Sequence, residues 1–252
     1  MSQLLGSFKA ESIKLKHTVS LWVYVLIPVI GGALFAMYFI MYMSRTDISK
    51  RLELILSAVS LLLPLLVSAL CCLSVLQEEY NSFQALLTGI KKTKNILAKI
   101  LLFVSLELFS LLLFFMFIII AGIFTGELNT EVIKMLLLCC IYFVCSSIFM
   151  YLEHLFLSLK LGIGASVIIG IVECLGVILF SNISLEAMKL KWDMIPWAWS
   201  IGFIRSTILQ YEQGNLGLLG TQIIHSLVIT LLVLIVFGIW FKNWEGRGKN
   251  DD

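Results

Sequence analysis

The chain has 252 residues, of which 60% are hydrophobic and 13% charged, with a mean hydropathy of +1.01, a composition outside that of soluble domains. Three prolines and no Ser/Gly-rich linker leave no place for a separate soluble domain, so residues 1–252 are expected to form one membrane domain. The net charge of +2 is too small, and the basic residues too scattered along apolar boundaries, to argue for nucleic acid.

In chain order, the first segment reads "LLGSFKAESIKLKHT". Leu5, Phe8, Ser12 and Leu15 fall on one helical stripe, with Lys9, Glu11, Lys14 and Lys16 elsewhere. This suits a helix lying in the membrane interface, or a basic flank that only sets topology. Six runs then reach the length a membrane span requires, at 19–43, 52–76, 96–125, 133–157, 161–181 and 218–241. Lipid forces such runs to be helical, and the expected fold class is an all-α polytopic membrane protein. The first run is too long for a signal-peptide core and lacks a clear cleavage site, so it is read as a retained span. With the N-terminus cytoplasmic, eleven Lys and Arg lie inside and seven outside, which places both termini in the cytoplasm even though the first outer loop, with Arg45, Lys50 and Arg51, is basic.

Between spans two and three lies "QEEYNSFQALLTGIKKTKN". Read as one helix over 77–95, it sets Tyr80, Phe83, Leu87 and Ile90 on a stripe, with Glu78 and Glu79 at the positive end of the dipole and Lys91, Lys92 and Lys94 at the negative end. Such a helix suits the inner leaflet surface or a protein partner. The segment 182–217 carries Trp192, Trp197 and Trp199 around Pro196, and is expected to form one or two short helices folded back onto or into the outer leaflet.

Two acids, Glu107 and Glu173, sit deep in spans three and five, where a charge costs on the order of 2.5–3.5 kcal/mol; they suit either a polar contact inside the protein or a cationic substrate. Glu153 and His154, near the end of span four, are expected to be solvated at the interface. Gly162, Ser166, Gly170 and Cys174 stand four apart in span five and predict close packing, within the subunit or across a dimer. The six cysteines all lie in apolar runs without a CxxC pair, and are read as small core- or lipid-facing residues.

Catalytic patterns are missing. The Glu-Glu pair would suit a CAAX-type protease only with Arg where Phe83 stands, and neither His154 nor His225 is followed four residues later by Asn. No HExxH, GxSxG or Walker A sequence occurs, so no catalytic, metal or cofactor-binding residue is expected; any ATP is used by another polypeptide.

The combination of six spans, a cytoplasmic segment after span two, no ATPase motif and a folded-back segment before span six resembles an ABC-2-type exporter permease. "FKAESIKLKHT", "LIPVIGGALFAMYF", "QEEYNSFQALLTGIKKTKNILAKILL" and "IPWAWSIGF" resemble the lantibiotic-protection permease subunits of the E and G types, nearer the G type in the span-one and 77–95 text. The resemblance runs over nearly the full chain. It implies a permease in a bacterial, Gram-positive cell membrane that works with a cytoplasmic ABC ATPase and a second homologous permease or a second copy, and exports a lantibiotic or related antimicrobial peptide for immunity. Another cargo, or a membrane immunity protein that sequesters the peptide without ATP, stands as the alternative. Residues 77–95 become the coupling helix, with Tyr80, Phe83 and Leu87 as docking stripe and Glu78 and Glu79 as polar contacts. Glu107 and Glu173 become candidate intramembrane substrate contacts, and Trp192, Asp193, Trp197 and Trp199 candidate outer-leaflet contacts, the tryptophans alternatively serving as anchors.

Overall fold

A computed structural model describes residues 2–16, 18–43, 45–87, 92–182 and 192–246, and all regular structure among them is helical. The helices are α1 (Ser2–Leu15), α2 (Val19–Met41), α3 (Ile48–Tyr80), α4 (Gln84–Leu87), α5 (Lys92–Thr125), α6 (Thr130–Lys160), α7 (Ile163–Asn182), α8 (Trp199–Glu212) and α9 (Gly220–Asn243). Two 3-10 turns, Trp192–Met194 and Pro196–Ala198, precede α8. Helices α2, α3, α5, α6, α7 and α9 are long and apolar enough to cross a membrane, and the chain is a multi-pass helical membrane protein. Each falls on one of the apolar runs; the runs 19–43, 161–181 and 218–241 pass a helix end by two residues. At 33 and 34 residues, α3 and α5 extend beyond a hydrocarbon core of about 30 Å, which 20 residues already cross at 1.5 Å each.

The core lies between α3 and α6. Leu52, Ile55, Leu56 and Cys71 of α3 meet Met135, Cys139, Phe143, Met150, Leu152 and Leu155 of α6, all fully buried. Around this pair, α2 packs along α5 and α7 packs along α3, while α2, α7 and α9 keep broad exposed apolar faces. Asn129 caps α6 by accepting the Val132 amide at 2.8 Å, and Lys160 sits in its last turn, where a cation suits the helix dipole.

Proline and glycine decide the close approaches. Pro28 inside α2 cannot donate to the carbonyl of Tyr24, and Ser110 of α5 donates to that carbonyl instead at 2.6 Å. At Gly170 of α7, an added methyl would lie 2.8 Å from Ser68 of α3. The small face of α7 therefore packs within the subunit, where Ser68 donates to the Ser166 carbonyl at 3.0 Å.

The segment before α9 forms short helices, as the tryptophan pattern predicts, and they fold back into the protein. Helix α8 is buried along most of its length, against α6 and α3. Tyr142 of α6 stacks on Phe203 with ring centroids 4.6 Å apart, and its hydroxyl accepts the Leu219 amide at 3.0 Å, fixing the entry to α9. Residues 183–191 lie outside the described residues.

Two expectations need correction. Helix α1 packs on α5, and Glu11, which the sequence sets off the apolar stripe, is buried beside Leu15, while Leu5 is 63% exposed. Glu11 takes an inward position because it finds lysine partners there. Residues 77–95 do not form one helix: α3 continues through Tyr80, and the chain then turns at Asn81–Phe83 before the single turn of α4. Ser82 and Phe83 have φ of 51° and 57°, and their amides close α3 by donating to the Glu79 and Glu78 carbonyls, each at 2.8 Å. Ile90 and Lys91 of the predicted stripe lie outside the described residues.

Candidate functional site

Four charges from three helices meet at the end of the bundle where α1 lies. Lys99, near the start of α5, donates to Glu78 at 2.8 Å and to Ser74 at 2.8 Å, and pairs with Glu11 at 3.0 Å. Lys14 of α1 reaches Glu11 at 2.6 Å and Glu78 at 2.8 Å. Two acids and two lysines balance, and all but Lys14 are buried. Burial alone would lower the Lys14 ammonium, but its hydrogen bonds and charge contacts with Glu11 and Glu78 outweigh that and hold it above the ordinary lysine value. Ser7 donates to Asn95 at 2.9 Å beside the cluster, so α1 is tied to α5 at several points.

This geometry redistributes the residues of the predicted coupling helix. Glu78 and Glu79 stand in the last turn of α3, the negative end of its dipole, and it is the lysines that stabilise Glu78. Glu78 is turned inward and does not present a polar contact to a partner; Glu79 is partly exposed. Tyr80 is 92% exposed whereas Phe83 is 4% exposed, so the two do not share a stripe. The left-handed turn swings Phe83 under the C-terminal end of α9, edge-on to Trp244 at 5.1 Å, and Leu87 packs beside it. Lys92 donates to the Trp244 carbonyl at 3.2 Å. The 81–87 connection and residues 244–246 thus pack together at the end of the bundle where α1 lies, crested by Tyr80, Asn81, Ser82 and Gln84.

The intramembrane acids differ from one another. Glu173 of α7 meets His154 of α6, Oε2 to Nε2 at 3.0 Å, and the other ring nitrogen lies 3.1 Å from the Ser166 hydroxyl. His154 is fully buried, which corrects the expectation of interfacial solvation: the ring bridges α6 and α7 instead. Its signal in the sequence was the placement of Ser166 and Glu173 two turns apart on one face of span five. Glu107 of α5 is 5% exposed, and neither of its oxygens meets a donor in hydrogen-bonding geometry. Its nearest hydroxyls are those of Ser147, which donates to the Val144 carbonyl at 2.9 Å, and Tyr151, which shares one proton with the Tyr24 hydroxyl at 3.2 Å.

The tryptophans of the folded-back segment hold it in place. Trp199 is fully buried, donates to the Asp193 carbonyl at 2.8 Å and packs edge-on against Phe149 at 5.5 Å, so it is no surface contact for a substrate. Trp192 and Trp197 cover Gly202 and Gly176, where added methyls would lie 2.3 Å and 2.6 Å from the rings. Asp193 is taken by His225 of α9, Oδ2 to Nδ1 at 2.6 Å, a partner the sequence reading did not find. At the far end of the bundle, Arg51 is buried against Phe39 and paired with Glu127, so one of the basic charges of the first loop is neutralised inside the protein. All six cysteines are free thiols, and among the described residues no three His, Cys, Asp or Glu side chains converge as metal ligands would.

No protein-family model matches the chain, and no curated protein matches it.

Proposed function

We propose that the chain is the membrane-spanning permease subunit of an ABC exporter, of the E/G lantibiotic-protection kind, which removes a lantibiotic or related antimicrobial peptide from a bacterial cytoplasmic membrane. The observation that carries the reading is the convergence of α1, the 81–87 connection and Trp244 on one end of a bundle whose six long helices are otherwise apolar. Lys9, Lys14, Lys16, Lys92, Lys94 and Lys99 gather at that end, which favours the cytoplasm. Tethered through Glu78 and Lys99, a push on this surface passes directly to α3 and α5. The docking contacts are Tyr80, Glu79 and the turn that follows, with Phe83 and Leu87 as their internal support. A cytoplasmic ATPase binds there and hydrolyses the ATP, and a second homologous permease or a second copy completes the pore along the exposed faces of α2, α7 or α9.

The test is peptide susceptibility in cells expressing this chain with its ATPase. Protection should vanish when the ATPase is made hydrolysis-deficient. Protection that persists undiminished without ATP hydrolysis would replace export with sequestration, and a lack of protection against any lantibiotic would move the cargo to another class.

A further inference from the structure

Most of the buried or half-buried acids among the described residues are held by a base, and Glu107 and Glu153, the latter lying against Glu173, are not. Glu11 and Glu78 are held by Lys14 and Lys99, Glu127 by Arg51, and Glu173 by His154. Glu107 has no basic partner, and it stands in the wall of a cavity of about 120 Å³ between α2, α3 and α5. The cavity wall contains no Lys, Arg or His, and apart from Glu107 and Ser110 it is aliphatic and aromatic. Its size compares with the roughly 150 Å³ engineered cavities that accept a benzene-sized ligand. Ile27 and Leu62 on its rim are exposed on the lateral surface, and α2 touches α3 far less than it touches α5, so the cavity opens sideways between α2 and α3.

We propose that this cleft binds an organic ammonium carried on an apolar body, with Glu107 as its counter-ion. A carboxylate left ionised and alone at this depth is strongly disfavoured, and an entering ammonium supplies the charge and the donors that the protein withholds. The rings of Tyr24, Phe35, Phe114 and Tyr151 line the space, where aromatic faces attract a desolvated cation. Only one phenolic proton is used between Tyr24 and Tyr151, which leaves the other to orient a carboxylate oxygen. The aliphatic wall from Leu63, Val67 and Leu111 receives the ligand's apolar part. The ammonium can belong to a lysine side chain of a membrane-active peptide or to an aminophospholipid headgroup; the site recognises the chemistry they share. The inference does not depend on an ATPase partner.

The experiment uses the full chain in phosphatidylcholine nanodiscs, titrated with n-hexylammonium and, separately, with the neutral n-hexanol. Saturable binding of the amine is expected, accompanied in the infrared spectrum by loss of a protonated carboxyl band and gain of carboxylate. In Glu107→Gln, affinity should fall by about tenfold or more, one decade being 1.4 kcal/mol, and the spectral change should disappear. Displacement by a lysine-bearing lantibiotic assigns the ligand to peptide, and displacement by added phosphatidylethanolamine assigns it to lipid. Binding that is equally tight for n-hexanol, or unchanged in Glu107→Gln, overturns the site. If the Gln variant does not fold, the infrared change in the native chain decides: amine binding without ionisation of a carboxyl group overturns it as well.

Discussion

Lys99 shows how a polar cluster can be expensive to break and yet add little over a neutral core. Its ammonium is buried among Glu78, Glu11 and Ser74, so truncation leaves two buried acids to share Lys14 alone. Lys99→Ala is expected to destabilise the folded chain by about 3–5 kcal/mol, the range for breaking a buried ion pair. Lys14→Ala, at a partly exposed position, should cost clearly less; denaturant unfolding in detergent measures both. Lys14 also sets a pH limit. Its folded-state value is raised, so its contribution to stability is complete below the ordinary lysine range and is lost only as pH rises through the raised value. The mobility of a spin label at exposed Lys9 should therefore stay constant through neutral pH and increase in strong alkali. Ser82 offers a change of the opposite sign: a non-glycine residue at φ 51° costs roughly 1–2 kcal/mol, and Ser82→Gly should recover part of that in the same unfolding measurement. At this scale the sequence was least legible. "EEY" reads as an exposed acidic start to a helix, and nothing local reveals that the first Glu turns inward, because its lysine partners lie at positions 14 and 99.

The spanning elements were the most legible part, because a run of about 20 apolar residues in lipid has few structures other than a helix open to it. Their ends were not. Helix α3 overruns the apolar window to Tyr80 because its last turn is held by lysines from outside the helix, and the Asn81–Ser82 pair, with side chains that compete for backbone bonds, then permits the sharp turn that buries Phe83. In the folded-back segment the anchoring role of the tryptophans followed from residue type, whereas the complementary glycines, Gly176 and Gly202, are visible only once the helices are packed. The small face of α7 allows a direct check. Gly170→Ala places a methyl 2.8 Å from Ser68 and should cost about 1–3 kcal/mol, whereas Gly164→Ala, which meets nothing within 4 Å, should be tolerated.

For the molecule as a whole, the contacts bring α1, the turn at 81–83 and Trp244 to one end of the bundle, and leave an acid without a base in the wall of a lateral cleft. Both features suit a protein that is driven from one end and loaded from the side. Neither was readable from composition: the first depends on the turn at 81–83, and the second on which of several buried acids lacks a cation. The cluster also determines which substitutions can probe docking. Reversing Glu78 would unfold the platform, whereas Tyr80 is exposed and can be changed without disturbing Lys14, Lys99 or Trp244. The most direct measurement is co-purification of the chain with the proposed ATPase from membranes, comparing the native protein with Tyr80→Arg at equal membrane levels. The account predicts that the ATPase accompanies the native chain and is lost from the variant; an ATPase that fails to accompany the native chain, or that binds the variant undiminished, would contradict it.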